Sequence, residues 1–111
     1  MGIKTERVGV LTVGMGAVAT TFIAGVYAIR KGLGSPVGSL TEMGYFPGQN
    51  GKNTKALIKN VLPLVGLEQL VFGAWDINPD SAYDVAMSSE VLEKTLVEQL
   101  KEELSAIKPM A

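Results

Sequence analysis

Gly14, Gly16 and Ala19 stand in the spacing G-x-G-x-x-A, and this is where the chain has chemistry within reach. Between a strand and a helix, that spacing is the dinucleotide-binding fingerprint, and each position has its own task. Gly14 takes backbone angles that a side chain would forbid. Gly16 leaves no Cβ between the main chain and an approaching pyrophosphate, and Ala19 lets helix and strand pack closely. The amides that open the helix have no acceptor within it and so face the anion. A second candidate is Asp76, which follows the apolar run Leu70-Val71-Phe72-Gly73-Ala74-Trp75. A carboxylate at the carboxyl end of a parallel strand stands where dinucleotides sit and can accept hydrogen bonds from one. The competing role, capping the next helix, is filled in this reading by Asn78-Pro79. An acid about twenty residues after the glycines would bind a ribose hydroxyl. Glu42 is the nearest, and its poor placement makes it a solvated loop residue.

These residues need a strand, a turn and a helix to position them. Val8–Val13 is a β-branched run that reads as a buried parallel strand, covered on both faces. A helix follows from about Ala17 to Lys31, with Val18, Phe22, Val26 and Ile29, flanked by Ile23 and Tyr27, as a broad buried face. Arg30 and Lys31 suit its last turn, and Gly32 its end. Residues 32–51 are rich in turn formers, with Val37–Met43 the one stretch able to make a short strand. A short helix from Asn53, as N-cap, to Val61 stops at Pro63. Leu70–Ala74 is the second apolar strand. Pro79 to about Met87 is a short helix with Ala82, Tyr83 and Ala86 inward, broken at Ser88-Ser89. A final helix from about Glu90 to Ile107 aligns Leu92, Leu96, Leu100 and Leu104, a row too short for a coiled coil. No third strand is expected before the chain ends at Met110-Ala111.

Composition narrows the possible functions. The 111 residues are 47% hydrophobic and 19% charged with a formal net charge of -1, the profile of one modest globular domain. No basic field points to nucleic acid. The chain has no Cys and no His, so thiol chemistry, disulfides, imidazole bases and the usual zinc sites are absent, and no metal site is expected.

The same glycine stretch has a rival reading. No charge falls between Arg7 and Arg30, a run long enough for a membrane anchor or signal sequence with Lys4 and Arg7 as basic flank. Against it stand the β-branched run Val8–Val13, the glycines in its middle, and the hydroxyls of Thr12, Thr20 and Thr21.

A family resemblance then spans the whole chain. Val8-Gly9-Val10-Leu11 leading to Gly14-Met15-Gly16, Ala19-Thr20-Thr21, Gly38-Ser39-Leu40-Thr41, and above all Val71-Phe72-Gly73-Ala74-Trp75-Asp76-Ile77, with Val91-Leu92 and Pro109-Met110, resemble the amino-terminal part of the inositol-3-phosphate synthases. The resemblance implies an α/β fold, part of a Rossmann-like NAD-binding domain with a parallel sheet flanked by helices, over residues 1–111. It implies an isomerase that converts glucose 6-phosphate to inositol 3-phosphate by internal oxidation, aldol cyclisation and reduction, with NAD as cofactor. It also implies a cytoplasmic homotetramer serving inositol and phospholipid biosynthesis. By carry-over, Gly14, Gly16, Ala17, Val18 and Ala19 line the NAD pyrophosphate, and Asp76 hydrogen-bonds the nucleotide.

Two departures qualify that picture. Many relatives carry a longer G-x-G-G-N-N-G turn where this chain has Ala17-Val18-Ala19, so backbone amides must do what side-chain amides do there. The family is also several times longer, and its catalytic lysines, substrate-phosphate site and tetramer-forming sheet have no counterpart here; Lys52, Lys55 and Lys59 do not match its motifs. These residues alone are therefore expected to be inactive, to leave an unpaired sheet edge, and to associate through that edge or through the Leu92–Leu104 stripe. A different class of function, a nucleotide-binding or scaffold module completed by another chain, is the alternative.

Overall fold

The computed structural model describes residues 6–46 and 56–110. Its centre is a pair of parallel strands, β1 (Val8–Val13) and β4 (Leu70–Trp75), in register from Val8 opposite Leu70 to Val13 opposite Trp75. Between them run α1 (Ala17–Arg30), the one-turn helix α2 (Leu40–Met43), the two-residue strands β2 (Tyr45–Phe46) and β3 (Ala56–Leu57), and the one-turn helix α3 (Ile58–Val61). A 3-10 turn, Leu67–Gln69, delivers the chain into β4, which is followed by α4 (Ala82–Ser89), α5 (Lys94–Gln99) and α6 (Lys101–Ser105). The fold is α/β with a parallel sheet and packed helices, as expected.

The core lies on one side of the sheet. Strand side chains alternate between faces, so Val10, Leu70, Phe72 and Ala74 turn toward the helices and Leu11, Val13, Val71 and Trp75 turn away. The inward face meets α1, where Phe22 and Tyr27 pack edge-on against Phe72 with ring centroids 5.7 and 5.8 Å away. Behind α1, the small residues Ala24, Ala28, Ala82 and Ala86 join Val97, Leu100, Leu104 and Ile107 in one buried cluster. The outward face carries no helix among the described residues: Leu11 is 57% exposed and Val13 92%. The expectation that β1 is covered on both faces is thus corrected, and the buried face assigned to α1 holds for Ile23 and Val26 but not for all its members. Its inward residues are Thr20, Ile23, Ala24, Val26 and Ala28, while Val18 and Phe22 remain exposed.

Helix α1 is fixed at both ends. Its C-terminus closes with the Gly32 amide donating to the Ile29 carbonyl (3.1 Å) and the Leu33 amide to the Ala28 carbonyl (2.8 Å), a Schellman closure around a glycine with φ of 73°. Arg30 then reaches forward: its guanidinium donates to the carbonyls of Leu67 and Leu70 and lies over the Tyr27 ring. This clip sets where β4 enters the sheet relative to α1. On the far side, Lys31 donates to the Gln99 carbonyl and pairs with Glu103, both at 2.8 Å, tying α1 to α5 and α6.

Four other expectations are revised. Residues 40–43 form helix α2 rather than a strand, because the Ser39 hydroxyl accepts the Glu42 amide and caps a turn. The helix ending at Val61 begins only at Ile58, behind β3; Asn53, its expected cap, lies outside the described residues. Ser81 rather than Asn78 caps α4, accepting the Asp84 amide, and Asn78 forms its own turn with the Asp80 amide. The long final helix is two helices, broken at Leu100, with its leucine row turned inward: Leu100 and Leu104 are fully buried and unavailable for association. One isolated bridge is added to the sheet. Met110 pairs in parallel with Trp75, donating its amide to the Ala74 carbonyl at 2.8 Å and accepting the Asp76 amide at 3.0 Å, on the edge of β4 opposite β1.

Candidate nucleotide-binding site

The strands β1 and β4 end together, and their carboxyl ends bring the glycine turn and Asp76 side by side. β1 leaves the sheet at Gly14, whose amide still donates to the Trp75 carbonyl at 2.7 Å, one rung beyond the last strand pair. Gly14 has φ of 93°, a region that L side chains rarely enter, so a glycine is required here by the backbone itself. Met15 then buries its side chain in the core, only 2% exposed, and Gly16 opens α1.

Gly16 is a glycine for a different reason. Its φ of −99° suits any residue, and a Cβ built on it would meet nothing within 4 Å. Neither the backbone nor a packed neighbour accounts for the glycine. The position leaves room for a close approach from outside the chain, such as a dinucleotide phosphate makes at this place in the fingerprint.

No side chain caps α1. The first intrahelical bond is made by Thr20, donating to the Gly16 carbonyl at 3.0 Å, so the amides of Ala17, Val18 and Ala19 have no partner among the described residues. Those residues border an open groove of about 530 Å³, which Thr12, Val13, Gly14, Gly16 and Phe22 complete. None of the lining side chains is charged. Attraction for an anion must come from the amides and the helix dipole.

Asp76 lies just past β4, half-buried, beside the glycine turn. One carboxylate oxygen accepts the Met15 amide at 2.8 Å and the other accepts the Asn78 amide at 3.0 Å. These amides, Met15 first, hold the carboxyl below its ordinary value of 3.8. The group caps no helix, since Ser81 does that; each oxygen keeps a lone pair for a further donor.

Some participants were not singled out from the sequence. Thr20 and Thr21 counted there as polar interruptions of an apolar run and as part of the family resemblance, with no role at the site. In the fold they brace the first turn of α1: the Thr20 hydroxyl donates to the Gly16 carbonyl at 2.9 Å and the Thr21 hydroxyl to the Ala17 carbonyl at 2.6 Å. Thr12 lines the groove with a buried hydroxyl that has no partner among the described residues, a position readable only from the period-two alternation of β1. Glu42 lies away from the glycine turn, in α2, 3.9 Å from Lys59. Lys52 and Lys55 fall outside the described residues. No helix among the described residues is long and apolar enough to cross a membrane, and no group of three acidic, Cys or His side chains there is placed to hold a metal ion.

The family model described as myo-inositol-1-phosphate synthase, an NAD-binding one, matches residues 8–111. The chain belongs to that family. Among individual synthases, inositol-3-phosphate synthase 1 of Bacteroides thetaiotaomicron is 52% identical over 107 residues, which are 96% of this chain and 24% of that protein. Inositol-3-phosphate synthase of Dictyostelium discoideum is 34% identical over 123 residues, with the same two coverages. The crystal structure of inositol-3-phosphate synthase from Caenorhabditis elegans shares the fold, with a TM-score of 0.79 at 21% identity over 96% of this chain and 24% of that one. The chain thus spans about a quarter of the length of the synthases it matches. NAD is the cofactor of this segment of the synthase family, and the glycine turn, the uncapped helix and the groove fit it.

Proposed function

We propose that residues 1–111 are the amino-terminal part of the NAD-binding domain of an inositol-3-phosphate synthase, which converts glucose 6-phosphate to inositol 3-phosphate by internal oxidation, aldol cyclisation and reduction. The observation that carries this reading is the uncapped start of α1, where Gly16 is followed by three open amides at the edge of a groove, in a chain of this family. Bound NAD supplies the hydride acceptor and donor for such chemistry. The chain's own residues bind and orient. Gly14 turns the main chain out of the sheet, and Gly16 admits the pyrophosphate. The amides of Ala17, Val18 and Ala19 donate to its oxygens, and a free lone pair of Asp76 accepts from a nucleotide hydroxyl.

The remaining chemistry needs a base for a C–H proton, cations for the substrate phosphate and a closed site that excludes water. The sequence has no His, and its lysines stand at positions that do not resemble the family's catalytic ones. By themselves these 111 residues therefore form no inositol phosphate. The family's cytoplasmic location and homotetrameric assembly complete the proposal. Association is supported by the β1 edge and by the outward face of the sheet, which have no partner among the described residues.

The test is NAD binding by calorimetry. The wild-type chain should bind, and Gly16→Val, which places a branched side chain where the pyrophosphate runs, should lose binding with its unfolding midpoint unchanged. Equal affinity in the two proteins would refute the site. Joined to the rest of the synthase, the same substitution should abolish turnover of glucose 6-phosphate. A module that merely binds nucleotide and completes its sheet with another chain would bind NAD yet support no turnover in that setting.

A further inference from the structure

The glycine turn is held by more than its glycines. Gly14 and Met15 are consecutive, and each donates its amide to one of two consecutive residues at the end of β4: Gly14 to the Trp75 carbonyl at 2.7 Å and Met15 to the Asp76 carboxylate at 2.8 Å. The first bond continues the parallel ladder. The second replaces the rung that the ladder loses when Gly14 bends the backbone away, and it spans 61 residues of sequence. Asp76 is itself anchored. Its own amide donates to the Met110 carbonyl at 3.0 Å, and its other carboxylate oxygen takes the Asn78 amide at 3.0 Å.

Met15 is consequently held at both ends, by its side chain in the core and by its amide on Asp76. The residue after it, Gly16, has open space around it and no cap. The direction in which Ala17, Val18 and Ala19 present their amides therefore depends on Met15. A carboxylate beside a site for an anion would oppose binding unless it did something else there.

We propose that Asp76 is a positioning residue for the phosphates of the dinucleotide, acting through the Met15 amide to fix the glycine turn and aim the open amides of α1. This rests on the NAD-binding reading and adds to it a role distinct from any contact of Asp76 with a nucleotide hydroxyl. The two amide bonds favour the ionised carboxylate and hold its pKa down, in keeping with a brace that is always set.

The experiment uses the full chain as wild type and as Asp76→Asn, which nearly preserves shape but offers one acceptor oxygen in place of two. Its probes are NAD, ADP and adenosine, with amide hydrogen exchange of Met15 read by NMR. In the wild type the Met15 amide should exchange at least about tenfold more slowly than those of Gly16 and Ala17, as a hydrogen-bonded amide does beside open ones. In Asp76→Asn that protection should fall, and affinity for NAD and for ADP should drop by about tenfold or more, the range for a hydrogen bond to a charged group. Adenosine, which has the ribose but no phosphate, should lose markedly less affinity than ADP, because only a hydroxyl contact with Asp76 is at stake there.

A Met15 amide that exchanges as fast as Gly16 in the wild type overturns the brace without recourse to any variant. Equal NAD affinity in wild type and Asp76→Asn overturns it too, and so does an adenosine loss as large as the ADP loss, which would make Asp76 a ribose contact. Failure of the wild-type chain to bind NAD would instead overturn the nucleotide-binding reading on which the proposal stands.

Discussion

The two faces of the β1–β4 sheet are built from the same strands, yet one is packed and the other is bare. Toward the helices, Phe72 and Ala74 are buried; on the reverse, Leu11, Val13, Val71 and Trp75 are all more than 40% exposed. Parallel strands rich in Val and Leu normally have both faces covered. Stability of this chain therefore comes from one side of its sheet, while the apolar residues of the other side contribute little until something covers them. The site lies at the end of the strands, where residues from neither face dominate and main-chain groups do the binding.

Core truncation should separate the faces most sharply. Leu104→Ala removes a fully buried side chain from the cluster behind α1 and should cost about 2–5 kcal/mol in urea denaturation. A loss below about 1 kcal/mol would mean that the core is looser than its burial implies.

Gly14→Ala tests the boundary between sheet and site. With φ at 93°, an alanine there should cost about 1–2 kcal/mol, although its Cβ would meet no neighbour. No loss at all would show that the turn relaxes to another conformation.

Val13→Ala, at a residue 92% exposed on the bare face, should change the unfolding free energy by no more than about 0.5 kcal/mol. A loss comparable with Leu104→Ala, or one that grows with protein concentration, would show that this face is covered by association in solution.

The smallest effect concerns acid. Lys31, by hydrogen bond and charge, holds the Glu103 carboxyl below its ordinary value of 4.5. A lowered folded-state pKa gives stability that is present above the unfolded value and lost as pH falls through the folded one. The unfolding midpoint should accordingly begin to decline below about pH 4.5, and Glu103→Gln should flatten part of that decline. An identical acid limb in the two proteins would leave the Lys31–Glu103 pair without a role in stability. On the alkaline side, the hydrogen bond to Glu98 raises the Tyr83 pKa from 10.0. Its stabilisation is present below that value and is lost as pH rises through the folded-state pKa.

The central unit was legible in the sequence because each part has a local signature. Val8–Val13 is a β-branched run bounded by Gly14, and α1 ends on Arg30, Lys31 and Gly32; the fold keeps β1 as read and α1 to within one residue. The capped turn at Ser39-Leu40-Thr41-Glu42 carries a hydroxyl three residues before a glutamate, a capping pattern that outranks the β-branched flavour of Val37. Two features had no such signature. A single residue, Met110, pairs with the sheet and leaves no periodicity to detect. The two-faced exposure of β1 depends on which helices are present rather than on the strand. At the site, the glycines and the uncapped helix follow from spacing. The Asp76–Met15 hydrogen bond joins residues 61 apart, and no short-range pattern encodes it.

Trp75 is the chain's only tryptophan, and it is bonded through its own carbonyl to the first glycine of the turn. The residue is 41% exposed, at the carboxyl end of β4. The molecule thus carries one indole fluorophore, a single hydrogen bond away from the loop that must respond to ligand. Indole emission overlaps nicotinamide absorption in the reduced cofactor, so energy transfer from Trp75 would distinguish reduced from oxidised occupants optically, with no label attached to the chain.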